Sequence, residues 1–370
     1  MTPAAARLER LAVHDFRNLA HVELDAPPDG FVLIGENGQG KTNLLEAIHY
    51  LHLLRSSRGA RDQDVVRFGA DAFHLRAAIE TDRAHEISVG FERAGKRKRV
   101  RLDGVIPEKL SDALGTLPSV LFSPDDVALV TGAPSGRRRY LDIMLALTSR
   151  RYLHSLQRYR TALGHRNAAL RDPSRSAATV SVWEPPLAEF GAQLLVERRQ
   201  WVASVESAFT SLSAAIGETG EARLRYASTV GHADDPASSI ARVLDEKRPS
   251  DIRRGVTQVG PHRDDLAMTL DGRDIRVFGS AGQQRTSAIV LRMLEAATFT
   301  ERTTRAPIFL LDDPFAELDI RRSTRILEWL TRDAGARGQT ILAVPRDTDI
   351  PAELTRLERL RVAGGTVRAY

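Results

Sequence analysis

No cysteine occurs anywhere in the 370 residues, which excludes disulfides, thiolate metal sites and thiol nucleophiles. No apolar run approaches the length needed to span a bilayer, and the first residues show no secretory-signal progression, so a cytoplasmic protein is expected. Lysine is scarce as well: five of the 53 basic residues are lysine (41, 96, 98, 109 and 247) and 48 are arginine. Internal repeats and low-complexity tracts are missing. What is present is 42% hydrophobic content, enough for one large core or two smaller ones. The formal charge of +5 is compatible with a nucleic-acid partner but modest for so large a surface.

The most informative segment is Gly35-Glu36-Asn37-Gly38-Gln39-Gly40-Lys41-Thr42, which meets the GxxxxGK[ST] pattern. Phe31 to Ile34 before it reads as a buried strand, and Asn43 to Leu51 after it carries apolar residues at helical spacing. Strand, glycine-rich turn and helix N-terminus together cradle an anion, because the turn aims backbone N–H groups inward and the helix end adds partial positive charge. The segment from Gly35 to Asn43 is therefore expected to bind ATP, with Lys41 reaching the terminal phosphates and Thr42 offering its hydroxyl to Mg²⁺.

The rest of the chain organises itself around that loop. Residues 8–34 read as short strands broken at Pro27 to Gly30, and Phe73 to Thr81, His85 to Glu92 and Arg99 to Leu102 alternate like antiparallel strands. Leu141, Leu145, Thr148, Tyr152, Leu156, Tyr159 and Leu163 form the seam of one long helix, and Leu187 to Ile216 a second seam interrupted at Arg198. Two helices of about thirty residues would span on the order of 45 Å. Sheet character returns with Leu266 to Leu270 and Ile275 to Phe278, then a helix from Gln283 to Phe299 and a strand Ile308 to Leu311. An α/β unit interrupted by a helical insertion is the expected fold class.

Ile308 to Leu311 ends in Asp312-Asp313, the apolar strand and paired carboxylates of a Walker B element. Asp312 is placed to help hold Mg²⁺, and Asp313 occupies the position of a general base beside Lys41. Upstream, Ser280-Ala281-Gly282-Gln283-Gln284-Arg285 opens a helix whose N-terminus suits a phosphate, although an ordinary serine cap explains it equally.

The order of phosphate loop, long insertion, Ser-x-Gly-Gln helix, acidic strand and Ala316-Glu317-Leu318-Asp319 resembles the ABC-type ATPases, with their signature, Walker B and D-loop. Asp15-Phe16-Arg17-Asn18-Leu19, Ser123-Pro124-Asp125-Asp126 and Gly260-Pro261-His262-Arg263-Asp264-Asp265-Leu266 narrow the likeness to the RecF family, recombination mediators related to SMC-type ATPases. The resemblance implies an ABC-type head, a mixed sheet with a phosphate-loop core, interrupted by a mostly helical arm. Residues 1–122 would be the first part of the head, 123–256 the arm, and 257–370 the part with signature, Walker B and D-loop. It implies a weak, DNA-stimulated ATPase using ATP and Mg²⁺, whose heads pair on ATP. Ser280, Gly282 and Gln283 would then act in trans, with Asp319 in the D-loop. It also implies binding of duplex DNA near single-stranded gaps and cooperation with RecO and RecR to load RecA. One departure is Pro345-Arg346 after Gln339 to Val344, where such heads carry a polar γ-phosphate sensor; Arg346 or Thr348 are the substitutes at hand. Arg17 and Asn18 are further candidates for touching the nucleotide, and Ser123 to Asp126 for the Q-loop.

Non-specific DNA binding requires clustered cations, since phosphate neutralisation dominates it. Two clusters qualify: Lys96-Arg97-Lys98 with Arg99 and Arg101, and Arg137-Arg138-Arg139 with further arginines as far as Arg166. From Pro134 to Leu170 eight arginines face the single acid Asp142. Solvated faces and helix-to-helix pairing are the plainer reading of each. Other function classes share parts of this pattern: the motor subunit of a membrane transporter, another SMC-like repair head, and a small-molecule phosphotransferase.

Overall fold

The computed structural model describes residues 4–173, 176–231, 235–314, 319–330 and 338–370. Two compact units divide the chain: Met1–Asp126 with Glu295–Tyr370, and Val127–Leu294. The expected division at 256/257 falls elsewhere, because strand Asp265–Leu270 pairs along its length with Ala222–Ala227 and so keeps that stretch in the second unit. The α/β fold class with an interrupting helical segment is the one observed. Among the described residues no helix is long and apolar enough to cross a membrane.

In the first unit, β1 (Arg7–Phe16), β2 (Leu19–Asp25), β4 (Ala72–Glu80), β5 (Ala84–Glu92) and β6 (Arg97–Leu102) form an antiparallel sheet in the order β2-β1-β4-β5-β6. Burial alternates along β4, as expected of a sheet with one wet face. A second sheet has the order β13-β12-β3-β11-β10-β7, built from β3 (Gly30–Ile34), β7 (Ser119–Phe122), β10 (Ile308–Asp312), β11 (Thr340–Val344), β12 (Glu358–Ala363) and β13 (Thr366–Ala369). It is parallel except for the β12–β13 hairpin, and every residue of β3, β10 and β11 is buried. Continuous apolar strands of this kind need cover on both faces. Helix α1 (Lys41–Leu53) covers one of them, and its Tyr50 meets Phe16 and Phe73 edge-on at 5.8 and 5.4 Å. Gln339 ties the layers together with a buried amide that accepts from the Leu8 N–H and donates to the Leu8 and Pro27 carbonyls.

The second unit holds α2 (Pro134–Thr148), α3 (Arg150–Arg171), α4 (Glu184–Ile216), α5 (Pro236–Arg254) and the start of α6 (Ala281–Thr303), with β8 (Ala222–Ala227) and β9 (Asp265–Leu270). The first long seam is therefore two helices. Ser149 leaves helical geometry and caps α3 by accepting from the Tyr152 N–H at 3.0 Å, which stops α2 at Thr148. The expected strand Ile275 to Phe278 is instead one helical turn, capped by Asp274, whose carboxylate accepts from the Arg276 N–H.

Gly260 to Leu266 is a joint in which Gly260, Pro261, Asp264 and Leu266 are buried. Gly260 has φ +120°, and a Cβ there would lie 2.6 Å from the Tyr159 hydroxyl. His262 meets that hydroxyl through Nδ1 at 2.7 Å and the Thr257 carbonyl through Nε2 at 3.1 Å. Asp264 accepts from the Tyr226 hydroxyl and from Thr229. The run is a hydrogen-bonded turn entering β9. Burial pushes the His262 imidazole down to about 4. The folded chain disfavours its charged form, so its contribution is complete above the ordinary value near 6.5 and declines as pH falls toward 4. Taking the protein to pH 5 should cost about 2 kcal/mol at this one group. Urea titrations at pH 7 and pH 5 should give a smaller loss for His262→Gln than for the unsubstituted chain, and an equal loss would refute the assignment.

Candidate nucleotide site

The glycine-rich turn follows β3, and α1 starts at Lys41 with Gly40 as its left-handed cap at φ +119°. Gly35 lies so close to β12 that a Cβ would sit 2.2 Å from the Val362 carbonyl oxygen, and Gly38 turns at φ +80°. The loop is fixed on two sides. The Gln39 side chain accepts from the Gly364 N–H at 2.6 Å and its carbonyl from the Gly365 N–H at 2.9 Å. On the other side Asn18 donates to the Gly38 carbonyl and accepts from the Asn43 amide at 2.8 Å. Arg17 does not face the loop: its guanidinium grips the buried Glu46 of α1 at 3.0 and 2.9 Å. The Asp15 to Leu19 motif thus acts as a hairpin tip docked on the phosphate loop and its helix.

Lys41 donates to the Gly35 and Glu36 carbonyls, curling into the cradle its own loop makes. Burial lowers its pKa, against the pull of Asp312 and Asp313. The Thr42 hydroxyl donates to the Asp312 carboxylate at 3.0 Å, joining residues 270 positions apart. Burial pushes the Asp312 carboxyl up, opposed by the Thr42 hydrogen bond and by Lys41. Asp313 stands one residue past β10 in the left-handed region at φ +43°, held by its N–H donating to the Ala343 carbonyl.

Around these groups lies a cavity of about 350 Å³ lined by Asn37, Gly38, Gly40, Lys41, Thr42, Asn43, Arg58, Pro124, Asp312, Asp313 and Pro345. Glu36 is exposed, and its backbone carbonyl accepts from Lys41. Pro124, in the Ser123 to Asp126 corner, reaches the cavity, while Asp126 caps its own turn by accepting from the Ser123 N–H. From the sensor corner Pro345 lines the cavity, and Arg346 is instead clasped by Asp349. Arg58 was not expected. It lines the cavity, lies 3.9 Å from Glu46 and acts electrostatically on Asp312. The only trace of it in the sequence is a polar Ser-Ser-Arg-Gly stretch following the phosphate-loop helix.

The residues suit a nucleotide triphosphate with magnesium. The loop can take no larger residue at Gly35, its lysine is buried and aimed inward, and Thr42 with Asp312 supplies the hard oxygen donors that magnesium prefers.

The model of the RecF/RecN/SMC N-terminal domain matches residues 7–350. The DNA replication and repair protein RecF of Symbiobacterium thermophilum is 38% identical over 331 residues, 86% of this chain and 87% of that protein. The chain belongs to the RecF family. The RecF protein of Frankia alni is 36% identical and spans 98% of this chain and 99% of its own. A solved structure of the recombination mediator protein RecF with ATP, in the RecFOR pathway, superposes with a TM-score of 0.91 at 27% identity. It covers 100% of this chain, and 98% of that chain is matched. An SMC head bound to the C-terminal winged-helix domain of ScpA, at 17% identity and TM-score 0.56, shares the fold. As a RecF-family member the chain is an SMC-like ABC-type ATPase.

Ser280 and Gln283 cap each other at the start of α6: the Ser280 N–H donates to the Gln283 side chain at 2.9 Å, and the Gln283 N–H to the Ser280 hydroxyl at 3.3 Å. Gly282 beside them is half-buried. Of the D-loop, residues 316–318 lie outside the described residues. Asp319 caps α7 (Ile320–Glu328), accepting from the Arg322 N–H at 2.9 Å.

The basic clusters separate. Lys96 and Arg97 are exposed. Lys98 is half-buried, donating to Asp62 at 3.0 Å and to the Leu54 carbonyl, with its ammonium 4.9 Å from the Tyr50 ring centroid. Arg137 is not available to DNA: it is 3% exposed and grips Asp265 with two prongs at 2.7 and 2.8 Å. Arg138 donates to the Asp264 carbonyl, and Arg139 is exposed. Arg166 and Arg198 are core residues.

Proposed function

We propose that this chain is an ATP-driven DNA-repair protein that engages duplex DNA beside single-stranded gaps and, with RecO and RecR, helps to load RecA. The observation that carries the nucleotide part is the Thr42 hydroxyl on the Asp312 carboxylate within a cavity edged by Lys41 and Asp313. Thr42 and Asp312 would hold magnesium between them, and Lys41 would move its ammonium from the loop carbonyls to the terminal phosphates. Bound magnesium neutralises charge on the transferred phosphoryl oxygens. Asp313 would take the proton of the attacking water. The names of the relatives support the repair and RecFOR assignments.

Pro345 brings neither an N–H nor a side-chain donor to the cavity, and further donors would complete it from outside. We place those donors on a second copy of the chain, whose Ser280, Gly282 and Gln283 close the pocket at a helix end, with Asp319 at the adjoining D-loop. In its own chain the Ser280 hydroxyl accepts a cap bond, which leaves its proton for a phosphate oxygen. ATP binding thus pairs the heads on DNA, and hydrolysis releases them. Exposed Lys96, Arg97 and Arg139 are assigned to the DNA phosphates.

Mass measurement in solution, with and without ATP and with and without gapped duplex, tests this reading. The expected result is a doubling of mass on ATP that the gapped duplex strengthens. Ser280→Ala should keep ATP binding in the monomer and lose the mass doubling, apart from about 1 kcal/mol of helix-cap stability. Equal loss of both properties would remove the assignment in trans. In the same assay Lys96→Glu with Arg97→Glu should reduce the slope of log affinity against log salt by about 0.9 for each DNA phosphate the chain no longer neutralises.

A further inference from the structure

The outer face of the antiparallel sheet carries a row of three histidines. In register, His21 on β2 stands opposite His14 on β1, and His14 stands opposite His74 on β4. Cross-strand partners on one face are within side-chain reach. The His14 and His21 ring centroids are 4.5 Å apart and their Nδ1 atoms 3.0 Å apart. A nitrogen-to-nitrogen approach of that kind places one proton between two converging lone pairs. A metal ion in place of the proton lets both nitrogens donate at once.

Tetrahedral zinc with Zn–N bonds of about 2.05 Å separates two ligating nitrogens by about 3.3 Å, so the pair needs to open only slightly. Glu23 supplies the third donor. It lies two residues from His21 on the same strand face, and one ligand atom from each of His14, His21 and Glu23 falls within 4.8 Å of the other two. No other such trio occurs among the described residues. His21 and Glu23 are exposed and His14 is half-buried, which gives an ion a path in and leaves a fourth position for water.

We propose that His14, His21 and Glu23 form a site for a divalent transition-metal ion, with zinc the fitting ion, on the outer face of the β1–β2 hairpin. Imidazole donors separate it chemically from the all-oxygen pair of Thr42 and Asp312. Its position gives it a task. Phe16 and Leu19 close the hairpin, His14 and His21 are the next facing pair along the same ladder, and the Arg17–Asn18 tip between the strands touches Glu46 and the Gly38 carbonyl. A metal held there restrains the two strands that carry the tip onto the phosphate loop.

The test is calorimetric titration of the untagged, chelator-treated full chain with zinc chloride in excess magnesium, which saturates hard-oxygen sites. One zinc per chain is expected at micromolar concentration. His14→Ala and His21→Ala should each weaken it by about tenfold or more, since even a supporting residue beside a metal is commonly worth that much. Cobalt(II) in place of zinc should give the visible absorption of a tetrahedral site, absent in the same variants. His85→Ala, on the same sheet but paired with Asp103, should leave the titration unchanged. Absence of binding below millimolar zinc, or binding that His14→Ala and His21→Ala leave equally tight, would overturn the proposal.

Discussion

Lys41→Ala should yield a folded chain whose mass no longer responds to ATP. The lysine is buried, yet its hydrogen bonds go to the Gly35 and Glu36 carbonyls of its own loop, so truncation takes nothing from the core. The loop keeps its shape through Gln39 against Gly364 and Gly365 and through Asn18 against Gly38. What disappears is the ammonium in the cavity, facing the carboxylates of Asp312 and Asp313. Without it two acids confront the polyanion. Residual ATPase should drop by about 10²–10³-fold, the scale of losing one preorganised donor to the developing charge. Sedimentation with and without ATP provides the check, alongside a thermal scan to establish folding. A variant that still pairs on ATP would remove Lys41 from the assigned role.

Arg166→Ala should cost far more stability than removal of an exposed arginine, although its sequence neighbours mark it as one more cation in a basic helix. The side chain is fully buried, donating to Asp251 at 2.8 Å, Glu184 at 2.9 Å and the Thr257 hydroxyl at 2.8 Å. Removal leaves Glu184 with Arg248 but leaves Asp251, itself 0% exposed, with the Gln258 amide as its side-chain partner among the described residues. An uncompensated buried carboxylate of this kind costs about 3–5 kcal/mol. Denaturant titration followed by tryptophan fluorescence reports on this unit through Trp183 and Trp201. Arg166→Met combined with Asp251→Asn should recover most of the loss, because the deficit is a stranded charge and not a missing shape. A shift below about 1 kcal/mol for Arg166→Ala would place the pair among weak surface ion pairs and contradict its burial.

These two side chains mark where sequence reading succeeds and where it stops. The phosphate loop was legible because its glycines obey local rules: Gly38 and Gly40 take positive φ, and Gly35 is pressed against β12. Strands β3 and β10 were legible because parallel strands buried on both faces are written as unbroken apolar runs. The fate of an arginine is not local. Arg137 pairs with Asp265 at a separation of 128 residues, Arg166 with Asp251 at 85 and Arg198 with Asp142 at 56, so charge counting along one helix credits to solvent what folding places inside. Arg58 was missed for the same reason, since what makes it part of the cavity is its approach to Asp312. Ser149 lay within view, but the heptad pattern runs straight through it and conceals the cap that splits the helix.

Strand β3 lies between β11 and β12, which are drawn from residues 340–344 and 358–363. The segment bearing the phosphate loop is thus synthesised well before either of the strands that flank it and finds its hydrogen-bonding neighbours only after the whole intervening chain has been made. Until then its N–H and C=O groups lack ladder partners, and Gln39 has no Gly364 to hold. A nascent polypeptide of this topology cannot acquire nucleotide affinity piecemeal; competence waits for both flanking strands.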